Sequence, residues 1–326
     1  MTKKIKKIYN IEKYFTVDWT VGSTCNFSCS YCPEELHDGK TTWLDTKNLK
    51  KFLDKIYKFT ELPLHFILAG GEITVDPELK EKFYLIKNSR KGNLITALSN
   101  GSRTLRWWEN HKNMFDVLNL TLHTEEGNAK HISAVANLMN EHADVTVNVP
   151  MMPNFWNKGI ENATFVTANN NGFPTVLKPL RINFGHQFYP YNPKQLKILS
   201  DFSIFNNYNK NWKQPKSKTF NPRFQVVYTD NTKKIIYPAS WINEGKNDFS
   251  GWDCYIGVEK IYIGINGNIS RGSWCKAGGG RGALGNVNNL SSIKLPTDPV
   301  TCPNPRCINV TDFKTTKKNK NSSDFV

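Results

Sequence analysis

Three cysteines stand within eight residues near the N-terminus, in the order Cys25-Asn-Phe-Ser-Cys29-Ser-Tyr-Cys32. Three thiolates on one short loop can hold an iron–sulfur cubane, whose ordinary form takes four cysteines. The next cysteine along the chain is Cys254, so no fourth thiolate lies nearby in the sequence. A cluster with three protein ligands leaves one iron open, as catalytic metal sites require. The spacing therefore indicates a catalytic iron–sulfur site.

A structural zinc site is the alternative interpretation of this loop. Structural zinc takes four ligands, and His37 is the nearby residue that could supply the fourth. A zinc loop of this spacing without a fourth cysteine close by is unusual, so the iron–sulfur interpretation is favoured.

Alternating strand and helix patterns follow the loop and must position it. Residues 14–22 are rich in aromatic and β-branched residues, as strands are, and apolar residues then recur at helical spacing from Leu49 to Tyr57. Further strands are predicted at 64–68, 94–98, 117–122, 145–149 and 175–180. Further helices are predicted at 76–89, 104–113, 128–141, 157–170 and 193–200. Repeated βα units predict a parallel sheet covered by helices. Six units are fewer than the eight of a closed barrel, so the expected fold is α/β, a partial (βα)6 TIM-like barrel.

After about residue 201 the pattern changes to short strands separated by turns. Strands at 226–228 and 234–237 flank the polar residues 229–232, which predicts a hairpin. Strands at 261–265 and 269–271 flank Asn266-Gly267, a strong hairpin signal. We therefore expect a small β-rich module in the C-terminal part of the chain.

The cysteine triad, with the aromatic Tyr31 just before its last cysteine, resembles the signature of the radical SAM superfamily. The resemblance implies that Cys25, Cys29 and Cys32 bind a 4Fe-4S cluster whose open iron chelates S-adenosylmethionine (SAM). It implies that a flavodoxin- or ferredoxin-type reductase supplies an electron that cleaves SAM to methionine and a 5′-deoxyadenosyl radical. That radical would abstract a hydrogen atom from the substrate, while the protein supplies orientation and excludes water.

The motif Gly70-Gly71-Glu72 ends the second predicted strand, where this family has its GGE motif. Glycine lets the backbone approach a ligand closely. The resemblance implies that Glu72 accepts a hydrogen bond from the methionine ammonium of SAM. Alone the motif would indicate only a turn.

The remaining predicted strands also end in polar motifs, so the resemblance extends over about residues 16–200. Ser99 and Asn100 end the third strand, at a family position near the cofactor ribose. His123 ends the fourth strand and either reaches the active site or is satisfied within the fold. Lys178 and Arg181 end the sixth, where they could bind an anionic substrate or be structural. Barrel active sites are built at this end of the strands.

The other four cysteines form a second group in the C-terminal region: Cys254, Cys275, Cys302 and Cys307. With their flanking glycines and hairpin they resemble the SPASM extension of radical SAM enzymes, or its shorter twitch form. The resemblance implies one auxiliary 4Fe-4S cluster and favours a peptide or protein substrate. Structural zinc is the alternative, since four thiolates also suit that ion.

The 326 residues carry a formal net charge of +15, concentrated in three places. Two are the chain ends, where lysines cluster at 3–7 and 314–320 and are expected to be solvated. The third is an acid-free stretch at 205–223 in which basic and aromatic residues mix. Basic residues contact phosphates and aromatic rings stack on bases, so this stretch is either a nucleic-acid surface or a polar connector.

The longest apolar run, at about residues 64–69, is far shorter than the ~20 residues that span a bilayer. The basic N-terminus is not followed by the apolar region of a secretory signal. We therefore expect no membrane insertion and a cytoplasmic location, where clustered cysteines bind metals more often than they form disulfides.

These observations predict four segments. They are a radical SAM core at 1–200, a basic aromatic connector at 201–222, a SPASM/twitch-like cluster module at 223–310 and a basic tail at 311–326. Three functions stay open: radical SAM modification of a peptide or protein, radical SAM modification of a nucleotide or nucleic acid, and a non-enzymatic iron–sulfur or zinc-binding protein.

Overall fold

The computed structural model describes residues 4–185, 187–201, 224–273, 275 and 283–320. The basic aromatic stretch at 205–223 and the glycines at 278–282 lie outside the described residues. The first fifteen elements are β1 Ile5–Asn10, β2 Phe15–Thr20, α1 Thr46–Ile56, β3 Leu64–Ala69, α2 Leu79–Ser89, β4 Leu94–Ser99, α3 Leu105–His111, β5 Val117–Thr121, α4 Ala129–Met139, β6 Asp144–Met151, α5 Trp156–Ala168, β7 Thr175–Pro179, α6 Pro193–Asp201, β8 Phe224–Tyr228 and β9 Lys233–Ile236. The remaining elements are α7 Pro238–Asn243, β10 Asp253–Cys254, β11 Lys260–Ile263, β12 Asn268–Ser270, β13 Gly285–Asn286, β14 Val300–Thr301, α8 Val310–Phe313 and β15 Lys317–Lys318.

The larger sheet has the strand order β13-β12-β11-β2-β3-β4-β5-β6-β7. Its strands β2 to β7 are parallel and alternate with helices, which confirms the predicted series of six βα units. Apolar residues of the strands and of the covering helices form the main core. Among the described residues, no helix is both long and apolar enough to cross a bilayer.

Helix α1 shows how local sequence produces these elements. Asp45 caps its N-terminus by accepting a hydrogen bond from the backbone N–H of Asn48 at 2.7 Å. Leu49, Phe52 and Ile56 recur at helical spacing and are fully buried against the sheet. Burying each such side chain contributes about 1.5–3 kcal/mol.

Helix α2 begins later than its sequence signal predicts. The Asp76-Pro77 pair was expected to open it, whereas the helix begins at Leu79. The Asp76 carboxylate accepts from the backbone N–H of Glu78 at 2.8 Å and pairs with the buried ammonium of Lys82 at 2.6 Å. Asp76 therefore stabilises a turn before the helix, and the predicted start is wrong.

A second sheet has the order β14-β10-β15-β1-β8-β9 and joins both ends of the chain. The segment 1–200 was expected to form the core domain by itself, but β1 pairs with β8 and β15 instead. The physical reason is a separate apolar core in which Ile8 packs among Phe224, Val226 and Phe313. The N-terminal strand thus belongs with the C-terminal module.

The two predicted C-terminal hairpins are confirmed, but they lie in different sheets. Strands β8 and β9 are antiparallel in the smaller sheet. Strands β11 and β12 are antiparallel in the larger sheet, where β11 pairs in parallel with β2. The C-terminal region therefore extends the barrel sheet as well as forming its own module.

The expected solvated tail at 311–326 is wrong for Lys314 and Lys317, whereas Lys318 and Lys320 are exposed. Residues 310–318 form α8 and β15, and the side chains of Lys314 and Lys317 are buried. Lys314 pairs with the buried carboxylate of Glu12 at 2.5 Å. A lysine can be buried at low cost only when its charge is paired and hydrogen-bonded, and Glu12 supplies such a partner to Lys314.

A buried ion-pair network joins the barrel to this C-terminal segment. Lys260 on β11 is 2% exposed, and its ammonium pairs with Asp18 on β2 at 2.9 Å and with Asp312 on α8 at 2.5 Å. It also donates to the hydroxyl of Thr311. One cation therefore links two strands of the barrel sheet to the helix that precedes β15.

Lys260→Met should lower the free energy of unfolding by about 3–5 kcal/mol, because two carboxylates would stay buried without their cation. Urea denaturation of the apo-protein measures this. Lys246→Met is the matched control, since Lys246 forms an exposed pair with Glu244 and its loss should leave the unfolding curve unchanged. Equal curves for both variants would contradict the role of Lys260.

Candidate functional site

The three clustered cysteines lie on the loop between β2 and α1, at the carboxyl end of the parallel strands. Cys25, Cys29 and Cys32 all line one cavity of about 390 Å³. The structure therefore brings the three thiols to one open space, which fits a cluster with three protein ligands and room for a small molecule.

Neighbouring strands contribute residues near their carboxyl ends to the lining of this cavity. The strand residues that line it are Thr20, Ala69, Leu98, Ser99, Thr121 and Pro150. Parallel register pairs Pro150 with Lys178 on β7, but neither Lys178 nor Arg181 is among the residues that line the cavity. The site is thus built by the ends of β2 to β7, the place where barrel enzymes bind substrates.

Gly70 and Gly71 allow the end of β3 to pack directly against the chain that leads into the cysteine loop. Both have positive φ, +98° and +47°. A Cβ on Gly71 would lie 2.2 Å from the carbonyl oxygen of Thr24, and one on Gly70 would lie 2.8 Å from that of Gly22. The N–H of Glu72 donates to the Thr24 carbonyl at 2.8 Å. The glycines therefore fix the position of the loop, besides lining the cavity.

Two polar contacts hold the loop from neighbouring strand ends. Asn100, after β4, donates from its amide to the side-chain oxygen of Asn26 at 3.0 Å. Glu125, after β5, accepts from the N–H and the hydroxyl of Ser30 at 2.7 and 2.6 Å. The sequence places Asn100 at the site but does not identify the contacts of Asn26, Ser30 and Glu125. These contacts join residues 74 and 95 positions apart, which no local spacing rule connects.

His123 and Tyr31 form an aromatic wall beside the thiols. Their rings stack with centroids 5.9 Å apart, and Nδ1 of His123 contacts the Tyr31 hydroxyl and lies 3.2 Å from the sulfur of Cys29. Burial lowers the pKa of His123 to about 4, so the imidazole is neutral near pH 7 and Nδ1 can accept the Tyr31 proton. Both residues line the cavity, as expected of residues that contact a bound cofactor.

Burial makes the three thiols poor acids in the metal-free protein. It raises the pKa of Cys29 to about 12 and that of Cys32 to about 11, and it also raises the pKa of Cys25. A metal ligand must nonetheless be a thiolate, which a bound cation deprotonates outright. The loop therefore fits a cationic cluster, whose binding releases protons.

Glu72 is placed differently from what the motif implied. Its side chain is 2% exposed and does not line the cavity of the three cysteines. Its carboxylate accepts hydrogen bonds from the N–H of Thr74 at 2.9 Å, the hydroxyl of Ser99 at 2.8 Å and the N–H of Asn100 at 2.5 Å. The carboxylate thus ties the end of β3 to the end of β4. Contact with a SAM ammonium would compete with these bonds, and that role stays a prediction.

The four C-terminal cysteines also come together. Cys254, Cys275, Cys302 and Cys307 line one small cavity of about 20 Å³. The segment carrying Cys302 is held by a bond from its N–H to the carbonyl of Trp252 at 2.7 Å. Burial raises the pKa of Cys307 to about 12 and raises those of Cys254 and Cys302 as well. This second site is smaller and more closed than the first.

Neither cysteine group converges in the manner of a mononuclear site. Across the described ranges, no three His, Cys, Asp or Glu side chains are close enough to share one metal ion. Zinc would need four ligands at about 2.0–2.3 Å from one point, and a cubane offers a separate iron to each thiolate. The choice between a cluster and zinc at the C-terminal cysteines stays a prediction.

Comparison with known proteins gives a family match for most of the barrel segment. Residues 19–167 match the Radical SAM superfamily. Neomycin C epimerase from Streptomyces fradiae is 26% identical over 184 residues, which are 51% of this chain and 58% of that protein. The chain therefore aligns with little more than half the length of this relative.

Solved structures of low identity share the fold. The structure of anSMEcpe with bound AdoMet and Cp18Cys peptide aligns with a TM-score of 0.53 at 16% identity, covering 85% of this chain and 78% of that one. SuiB from Streptococcus suis bound to S-adenosylmethionine aligns with a TM-score of 0.50 at 13% identity, covering 85% and 65%. At these identities the likeness concerns the fold alone.

Gly71→Ala should displace the cysteine loop, because its Cβ would overlap the Thr24 carbonyl. We expect a lower thermal midpoint and a loss of iron bound after anaerobic reconstitution, with an overpacking cost of about 1–3 kcal/mol. Gly39→Ala is the control: it also has positive φ, +70°, but no atom lies within 4 Å of its Cβ position. Equal iron content and midpoint in the two variants would contradict the close-packing argument.

Glu72→Gln should destabilise the apo-protein even without SAM, because three donors face the carboxylate and an amide N–H cannot accept from them. The expected loss is about 1–3 kcal/mol, measured by chemical denaturation. Glu126→Gln, at an exposed position, is the control. If Glu72→Gln unfolds like the wild type but binds SAM more weakly, the carboxylate serves the cofactor rather than the strand ends.

Proposed function

Because this chain belongs to the radical SAM superfamily, as its residues 19–167 show, we propose that it is an enzyme that reductively cleaves SAM to abstract a hydrogen atom from a peptide or protein. The observation that carries the cleavage step is the convergence of Cys25, Cys29 and Cys32 on one open cavity. Three thiolates leave one iron free for SAM, whose bound form supplies the 5′-deoxyadenosyl radical.

The chain's own residues would orient and shield the cofactor. Gly70 and Gly71 present backbone to the cavity, and Ser99 and Asn100 offer polar side chains on the β4 side. These groups suit the amino-acid and ribose parts of SAM, which need directional hydrogen bonds.

Much of the remaining lining of the cavity is apolar and aromatic. Leu98, Leu180 and Phe184 line it, together with the stacked pair Tyr31 and His123. Such a wall suits an adenine ring and excludes water, which would otherwise quench or divert reactive intermediates. The polar and apolar halves of the cavity together match a ligand that is charged at one end and flat at the other.

A peptide or protein substrate is supported by the fold and by the second cysteine group. The anSMEcpe structure contains a bound peptide, and four further cysteines line a closed site in the C-terminal module. We propose that this second site binds an auxiliary 4Fe-4S cluster. Four thiolates would coordinate all four irons, so this cluster would have no open iron at which to cleave SAM. The cluster would then pass electrons or support the module.

A second candidate is an epimerisation, favoured by the resemblance to neomycin C epimerase over half of the chain. Radical modification of a nucleic acid stays a prediction, because the basic aromatic stretch that motivated it lies outside the described residues. A steep salt dependence of nucleic-acid binding would favour that prediction.

The proposed reaction has requirements outside the active site. SAM cleavage needs one electron, which we assign to a flavodoxin- or ferredoxin-type reductase. Seven cysteines are free of disulfides, as expected in a reducing compartment, so we propose that the enzyme acts in the cytoplasm.

Replacing Cys25, Cys29 or Cys32 with Ala should abolish 5′-deoxyadenosine formation, because each change removes a thiolate from the SAM-binding cluster. The measurement is chromatography after anaerobic incubation with dithionite and SAM. Cys275→Ala is the control, which should keep SAM cleavage above background because Cys275 lies at the other site. Background turnover by reconstituted wild-type protein would overturn the proposed function.

A further inference from the structure

A buried lysine lies beside the second cysteine site without a carboxylate partner. Lys317 is 1% exposed, and its ammonium donates to the backbone carbonyls of Asp312, Phe313 and Thr315 at 3.0, 2.8 and 3.0 Å. No ion pair of Lys317 with a carboxylate occurs among the residues that the structure describes. Its three N–H donors are therefore satisfied by carbonyls, and its charge lies over the rings of Phe249 and Phe313, 5.0 and 5.6 Å from their centroids, rather than beside a carboxylate.

Lys317 lines the same 20 Å³ cavity as the four C-terminal cysteines. The lysine is thus close enough to act electrostatically on the groups that would ligate a cluster.

One acidic side chain reaches this cavity too, but its charge is already engaged. Asp312 lines the cavity, and its carboxylate pairs with Lys260 at 2.5 Å. Lys260 also pairs with Asp18. The charge of Asp312 is therefore paired with Lys260, whereas Lys317 is a buried cation at this cavity and Arg306, which also lines it, is exposed.

Taking an ammonium out of water costs several kcal/mol unless opposite charge compensates it. Four neutral thiols would not compensate it, whereas four thiolates around an iron–sulfur cluster carry net negative charge. A nearby cation also stabilises the reduced state over the oxidised one, since reduction adds one electron and one negative charge to the cluster. Low dielectric inside the module strengthens this effect.

We propose that Lys317 is the counter-cation of the second cysteine site and raises the reduction potential of the iron–sulfur cluster bound there. The inference rests on the proposed auxiliary cluster, and it adds an electrostatic residue that acts on that cluster without being a ligand. In this role Lys317 sets how readily the cluster accepts an electron.

The test uses full-length protein in which Cys25, Cys29 and Cys32 are replaced by Ala, so that only the second site can bind iron. Iron and zinc are quantified after anaerobic reconstitution, and the midpoint potential is measured by a redox titration followed by electron paramagnetic resonance. Lys317→Gln removes the charge but keeps donors for the carbonyls. It should shift the reduction equilibrium at least tenfold toward the oxidised state, 59 mV for one electron.

Two further variants separate charge from structure. Lys317→Arg keeps the charge and should keep the potential, and Lys318→Gln neutralises the adjacent exposed lysine and should also leave it unchanged. Loss of iron from Lys317→Gln but not from Lys317→Arg would support the proposal, because Arg keeps the positive charge that Gln removes. An equal potential in Lys317→Gln and the parent, with iron bound in both, would overturn it. Zinc without iron in the parent would instead overturn the auxiliary cluster itself.

Discussion

At Gly71 the chain passes so close to the carbonyl of Thr24 that a methyl group would lie 2.2 Å from that oxygen. This close packing locks the end of β3 against the segment that carries the cysteines, and the bond from Glu72 N–H to the same carbonyl reinforces it. Asn100, after β4, and Glu125, after β5, can then form hydrogen bonds with the loop. The convergence of the three thiols depends on that contact, since a loop displaced by one side chain would no longer meet these partners.

The two cysteine sites differ in the way their proposed roles require. The first opens into about 390 Å³ beside an aromatic wall, whereas the second encloses about 20 Å³. A site with room and three thiols can hold a cluster that binds a small molecule, while a closed site with four thiols can only complete a cluster's coordination. In both, burial raises the thiol pKa values, so the thiols would release protons when a cluster binds.

Buried lysines connect the modules into one molecule. Lys260 pairs across β2, β11 and α8, and Lys314 pairs with Glu12 from the other end of the chain. Each pair couples segments that would expose an uncompensated charge if they separated. The second sheet adds to this coupling, because β1 lies between β8 and β15. Charge pairing as well as apolar packing therefore couples the folding of the barrel to that of the cluster-bearing module.

The cysteine triad, the alternating βα units and both hairpins could be predicted from the sequence, because each is encoded over short spans by spacing, periodicity or turn chemistry. The sequence also showed that seven cysteines divide into three and four. Only the tertiary structure decided that β1 joins the C-terminal module, that Glu72 ties two strand ends together and that Lys314 and Lys317 of the supposed tail are buried. A lysine has the same local signature whether it is solvated or buried. Its environment is set by partners as remote as Glu12, which lies 302 positions from Lys314, and no local pattern records which distant carboxylate or carbonyl will compensate a charge.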